Sequence, residues 1–139
     1  MLIDRVNEFG MRVDRRMHDE RIVWLTTVRA DGMPQPVPVW YLWDGGSKVI
    51  IFTQPGSQKV RNILNNSNVA LHLDGDGRGG DIVIFWGHAE ILQEAVPELL
   101  EDYVSKYEEG FKRIDTTREE FERDYSTVIM VQLTHLSGH

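Results

Sequence analysis

At 139 residues the chain suits one domain, and it has no cysteine for a disulfide, a thiolate metal site or a cysteine nucleophile. Its net charge of -7 argues against nonspecific nucleic-acid binding, which needs a basic surface, and no apolar run approaches the ~20 residues of a membrane-spanning helix. The N-terminus lacks a basic stretch leading into an apolar one, so no signal peptide is expected and a reducing cytoplasm is the expected location.

Taken in chain order, residues 2–18 space Ile3, Val6, Val13 and Met17 as one face of an amphipathic helix, interrupted by Gly10. Arg21 to Arg29 is rich in β-branched residues and predicts a strand, and Asp31-Gly32 predicts a tight hairpin turn. Gln35 to Trp43 predicts a second strand, with Pro36 and Pro38 in alternate positions. Proline cannot donate to a ladder, so one side of this strand starts unpaired. Asp44-Gly45-Gly46 predicts the next turn and Lys48 to Thr53 the third strand, which together suggest a three-strand meander.

Gln54-Pro55-Gly56-Ser57 breaks that strand. Ser57 is placed to cap a helix from Gln58 to Asn65, with Val60, Ile63 and Leu64 inward. Val69 to Leu73 predicts a short strand and residues 74–80 a flexible connection. Asp81 to Leu92 predicts a long strand with a bulge or close approach at Gly87. Pro97 to Glu109 and Arg118 to Tyr125 read as helices, and Thr127 to Leu133 as a last strand. About six strands with peripheral helices in one domain suggest an antiparallel barrel.

Two stretches carry possible chemistry. In Ser57-Gln58-Lys59-Val60-Arg61-Asn62, a helix N-terminus, a hydroxyl, a lysine and an arginine together make a phosphate receptor. The competing reading is a capped helix with a solvated basic face. In Gln35-Pro36-Val37-Pro38-Val39-Trp40-Tyr41, unpaired backbone groups and two aromatic side chains offer a surface for a planar polar ring; an edge strand guarded by its prolines is the alternative. The histidines at 18, 72, 88, 135 and 139 show no metal-ligand spacing, although His72 and His88 fall on strands expected to be neighbours in a barrel and so form a conceivable pair. Gly75, Gly77, Gly79 and Gly80 precede a strand, so they form no dinucleotide fingerprint.

The order and spacing of several fragments resemble the pyridoxamine 5'-phosphate oxidase-like split β-barrels. These are Trp24-Leu25-Thr26-Thr27-Val28-Arg29, Asp31-Gly32, Pro34 to Tyr41, Lys59-Val60-Arg61-Asn62-Ile63, Asn68-Val69-Ala70-Leu71 and Gly80-Asp81-Ile82-Val83. Within that group the chain resembles the branch that uses the deazaflavin coenzyme F-420. The resemblance runs from Arg21 to Leu92 and more weakly beyond.

It implies a mainly β fold, a six-stranded antiparallel split barrel of the FMN-binding type. The implied layout is one domain over 1–139: a helix over 1–19, barrel strands over 21–92, helices over 95–125 and a closing strand over 127–136. The resemblance also implies a homodimer with the cofactor in a shared groove. Carried over, Thr53, Ser57, Lys59, Arg61 and Asn62 surround the phosphate; Gln35, Pro36, Val37, Pro38 and Val39 line the ring through their backbone. Thr26 and Thr27 lie beneath the ribityl chain or ring, and Trp86 and His88 reach the cofactor of the same or the partner subunit. Trp86 departs from the carboxylate that the family often has there.

The implied activity is hydride transfer between reduced coenzyme F-420 and a small conjugated substrate, the cofactor carrying the chemistry. No acid or base is required, and either Tyr41 or a solvent proton is expected to complete the reduction. An FMN-dependent oxidoreductase is the main alternative, because both cofactors offer a phosphate and a tricycle. The deazaflavin adds an anionic tail for which Arg21, Arg29 and Arg78 are candidate partners. The remaining alternatives are a flavin- or haem-binding protein without catalysis, with His72, His88 or His135 as an axial ligand, and a cofactor-free dimeric scaffold.

Overall fold

The computed structural model describes residues 2–92 and 97–139. Positions 1, 95 and 96, which the expected N-terminal and C-terminal helical regions include, lie outside them.

α1 spans Glu8–Asp19, later than the 2–18 expected, because Asn7 caps it: its side chain accepts from the Gly10 N–H at 2.7 Å. Val13 and Met17, one turn apart, are buried as predicted. Ile3 is buried ahead of the helix, whereas Val6 is 91% exposed and leaves the expected apolar face. Gly10 does not break the helix. A β-carbon there would lie 1.6 Å from the Asp4 carbonyl, so glycine lets the N-terminal segment cross the helix.

Seven strands form one antiparallel sheet: β1 (Val23–Val28), β2 (Pro34–Val39), β3 (Leu42–Trp43), β4 (Lys48–Thr53), β5 (Asn68–His72), β6 (Val83–Leu92) and β7 (Thr127–Gly138), in the order β2-β1-β5-β6-β7-β4-β3. The expected strand over 35–43 is broken at Trp40-Tyr41, and its halves pair at opposite edges of the sheet: β2 with β1, β3 with β4. The expected three-strand meander is therefore not formed. Two residues span the gap between the first and last strands of the order, so the sheet must curl until its edges meet. This is the split barrel the sequence suggested.

α2 (Gln58–Asn65) follows β4; α3 (Pro97–Arg113), kinked at Tyr107, and α4 (Arg118–Asp124) lie between β6 and β7. β4 is buried on both faces, which is why Val49-Ile50-Ile51-Phe52 does not alternate. Val49 and Ile51 join the barrel core with Val13, Met17, Leu25 and Ile129. Ile50 and Phe52 join a second cluster built on Tyr103, Tyr107, Phe111 and Phe121 of the two helices. The bulge expected at Gly87 is present: the β6–β7 register shifts between Trp86 and Gly87, where a β-carbon would lie 2.1 Å from the Gln132 carbonyl oxygen. No described helix is long and apolar enough to cross a membrane.

Candidate cofactor site

The site forms where β4 gives way to α2. Gly56 takes a left-handed φ of 72° and turns the chain into the helix. Ser57 stands at the N-cap, but its hydroxyl makes no cap hydrogen bond; it lies 3.3 Å from the Thr53 hydroxyl. Thr53 is 2% exposed. Lys59, the second residue of the helix, lines a cleft of about 250 Å³ together with Thr53. Pro38, Val39 and Trp40 form one wall, and Tyr103, Phe121 and Tyr125 form the other. Burial in this aromatic surround pulls the Lys59 pKa below its ordinary value. None of the ion pairs among the described residues involves Lys59. A half-buried cation sharing a cleft with the Thr53 hydroxyl, and without a carboxylate partner among the described residues, has the donor set that a phosphate needs.

Arg61 does not join it. Two residues on a helix turn about 200° at 3.6 residues per turn, so neighbours at that spacing face apart. Arg61 is exposed, and its guanidinium donates to the Gln58 side-chain oxygen at 2.6 Å. Asn62 belongs to this second group. It is 2% exposed, accepts from Gln58 at 2.7 Å, and donates to the Thr27 hydroxyl and the Gln35 side-chain oxygen at 2.9 Å each. These bonds tie α2 to the β1–β2 hairpin and so hold Lys59 in register with β2. Gln58 was not singled out in the sequence, although its spacing of four from Asn62 is a helical pair signal. Leu64, expected inward, is 68% exposed, since its place on the inner face is taken by Asn62.

β2 separates the remaining candidates by parity. Gln35, Val37 and Val39 alternate toward the interior with Thr27, while Pro36 and Pro38 are exposed on the other face. The Arg29 N–H donates to the Met33 carbonyl, so the odd-numbered residues of this strand bond to β1. The backbone of Pro34, Pro36 and Pro38 therefore faces the free edge and offers carbonyl acceptors without competing N–H donors. Thr26 pairs with Pro36 and with Ala70, and Ala70 pairs with Trp86. Thr26, Pro36, Pro38, Trp86 and His88 thus share the outer face of the sheet, where Trp86 is 44% exposed.

Tyr41 lies apart from both groups. It is fully buried at the barrel seam, so it adds no flat surface for a ring. Its hydroxyl donates to the Met17 carbonyl at 2.7 Å, and burial drives its pKa well up. His72 and His88 both face outward but sit four residues apart along β5–β6, roughly 13 Å at strand rise, so they form no pair. No cluster of three potential metal ligands occurs among the described residues.

Solved structures share this architecture. One described as an F420 reductase matches with a TM-score of 0.70 at 24% identity, covering 89% of this chain and 94% of the other. A conserved hypothetical protein from Mycobacterium tuberculosis matches at 0.68 and 24% identity, covering 91% and 81%. The heme storage protein HutZ from Vibrio cholerae matches at 0.69 and 14% identity, covering 95% of each chain. At these identities the likeness is one of fold. No curated protein matches the chain significantly. The sequence profile described as pyridoxamine 5'-phosphate oxidase matches residues 11–135, which takes in the barrel, the Lys59 cleft and the proline edge alike, and the chain belongs to that family.

Proposed function

We propose that the protein is an oxidoreductase holding a flavin-type cofactor, coenzyme F-420 in the first instance and FMN as the alternative. One observation carries the reading: the desolvated Lys59 ammonium, without a carboxylate partner among the described residues, lines one cleft with Thr53, whose hydroxyl lies 3.3 Å from that of Ser57. Lys59, Thr53 and Ser57 hold the phosphate. The free edge of β2, with its acceptor-only carbonyls at Pro36 and Pro38, meets the polar rim of the ring, whose imide N–H needs an acceptor. Thr27, Gln35 and Asn62 position these elements from behind. Such a cofactor supplies a hydride to a small conjugated substrate, while the protein orients and shields it. Tyr41 has its proton committed to Met17, so a proton needed by the substrate comes from solvent. The deazaflavin is placed first because the chain resembles the deazaflavin-using branch in sequence and a solved structure of the same fold is described as an F420 reductase.

A cleft of about 250 Å³ is below the ~300–1,000 Å³ of ordinary ligand pockets. It accommodates the phosphate end, and a tricycle lying along β2 needs a second wall. The outer face with its exposed Trp86, Pro36 and Pro38 supplies the contact for a second copy of the chain, so a homodimer with the cofactor between subunits follows. His88 is exposed on that face as well, so a haem is kept as a competing ligand.

Titration of the purified protein with FMN, coenzyme F-420 and haemin, read by absorbance and fluorescence, tests the reading. Binding of F-420 is expected. Tight FMN binding without F-420 binding reverses the order of the two cofactors, and binding of neither, or of haemin alone, refutes the proposal.

A further inference from the structure

A second cleft lies across Trp40 from the first. It measures about 360 Å³, and its lining includes Arg21, Trp40, Tyr107, Glu109 and Arg113. Trp40 borders both clefts. Its ring stacks on Tyr107 at 4.7 Å with 7° between the planes, which fixes it as a partition. Gly110 makes the stack possible: a β-carbon there would lie 3.0 Å from the indole.

The charge of this cleft runs against that of the protein. The chain carries -7, yet Arg21, Arg113 and Lys106 gather here, and among the described residues Glu109 is the one acid lining the cleft. The Arg21 guanidinium donates to the Lys106 carbonyl at 3.4 Å, which holds it over α3. The Lys106 ammonium donates to the Tyr41 carbonyl at 3.0 Å and lies 3.7 Å from the centre of the Tyr41 ring. Arg113 comes from the last turn of α3. None of the ion pairs among the described residues involves Arg21, Lys106, Glu109 or Arg113. Burial, and then Arg21, hold the Lys106 pKa down at about 8. Solvent accounts for each exposed guanidinium taken singly. It does not account for a half-buried ammonium set beside one of them with no carboxylate among the described residues paired to it, because like charges at short range repel most where water is scarce.

We propose that this cleft is an anion site: Arg21 and Arg113 grip a carboxylate or phosphate group of a small molecule beside the Trp40 indole, with the Lys106 charge adding to the field from beneath. Arginine suits the task because its planar fork meets both groups bidentately. The anion has two possible sources, an extension of the molecule held at Lys59 or a separate anionic substrate.

The test uses the full chain carrying Lys59→Gln, so that the first cleft contributes no phosphate binding. Inorganic phosphate and malonate are titrated by calorimetry and by NMR of the arginine side chains. Saturable binding is expected, weakened about tenfold by adding Arg113→Gln or Arg21→Gln, in line with loss of a charge-assisted hydrogen bond. In the otherwise unaltered protein, Arg113→Gln is expected to keep its FMN affinity within about twofold, because a ligand confined to the first cleft does not reach it. A loss of about tenfold in affinity for F-420, whose tail bears carboxylates, identifies the cofactor as the source. An unchanged F-420 affinity identifies a separate substrate. Failure of phosphate and malonate to saturate, or binding indifferent to both arginine substitutions, overturns the proposal. Failure of the cofactor reading shows separately, in the FMN and F-420 titrations of the unaltered protein.

Discussion

Lys59 and Arg61 stand two residues apart and look equivalent in sequence, yet they face opposite ways, and this makes a sharp test. Lys59→Gln keeps a hydrogen-bonding side chain of similar length but removes the charge from the cleft. A hydrogen bond to a charged group contributes about 1.5–3 kcal/mol, and a half-buried, poorly screened ammonium belongs in the middle of that range. A loss of about 2 kcal/mol weakens cofactor binding roughly thirtyfold. Arg61 is exposed and already engaged by Gln58, so Arg61→Gln should cost at most about 1 kcal/mol, as surface charges do.

The apo protein gives a second, opposite readout. Burial disfavours the Lys59 charge, so Lys59→Gln should raise the melting temperature of the empty protein while it weakens binding. The pH dependence has the same origin. The free protein binds phosphate best while Lys59 is protonated, so affinity falls as pH rises through a pKa below the ordinary lysine value. Calorimetric titration of the parent and both variants with FMN or F-420, alongside thermal melts, measures all three effects. Equal losses for the two variants, or no loss for Lys59→Gln, would refute the divergence of the two side chains.

Asn62→Leu should destabilise the fold by about 1–3 kcal/mol in urea unfolding, because it strands the buried Thr27 hydroxyl and the partly buried Gln35 side-chain oxygen. Gly87→Ala should cost about 3 kcal/mol or more in the same assay, since its β-carbon meets the Gln132 backbone rather than a yielding side chain. Lys106 is pulled down to about 8 by burial and by Arg21, so between that pH and its unfolded value near 10.4 the unfolded chain holds the proton more tightly. Parent stability should therefore rise across that window, by about 1–2 kcal/mol after allowance for solvent screening of a partly exposed group, and Lys106→Met should flatten the rise. Trp86→Glu should convert the proposed dimer to monomer in sedimentation velocity without lowering monomer stability by more than about 1 kcal/mol, because the residue lies outside the core; a dimer that survives unchanged places the contact elsewhere.

Local chemistry was legible in the sequence. Asp31-Gly32 turned a hairpin, and Ser57 preceded a helix with the bounds its pattern predicted. Gly87 marked a bulge because only glycine tolerates a backbone so close. The family resemblance reached the right fold for the same reason: fragments at fixed spacing report the order of elements. The sequence could not show which edge each half of the 35–43 stretch would join. That was decided by Tyr107, whose hydroxyl takes the Tyr41 N–H at 2.8 Å and shares its one proton between the Arg21 and Tyr41 carbonyls, and so draws the seam residue out of the ladder. Nor could it show that Tyr41 would be sealed in the core. Neighbouring cations in sequence suggested one site, but a helix turning through about 200° between them sent Lys59 into the aromatic cleft and Arg61 to solvent. The sequence by itself determined which residue types were available for a phosphate and a ring. Only the tertiary structure decided which of them share a face, because helix phase, strand parity and the packing of α3 and α4 are set by contacts between residues far apart in the chain.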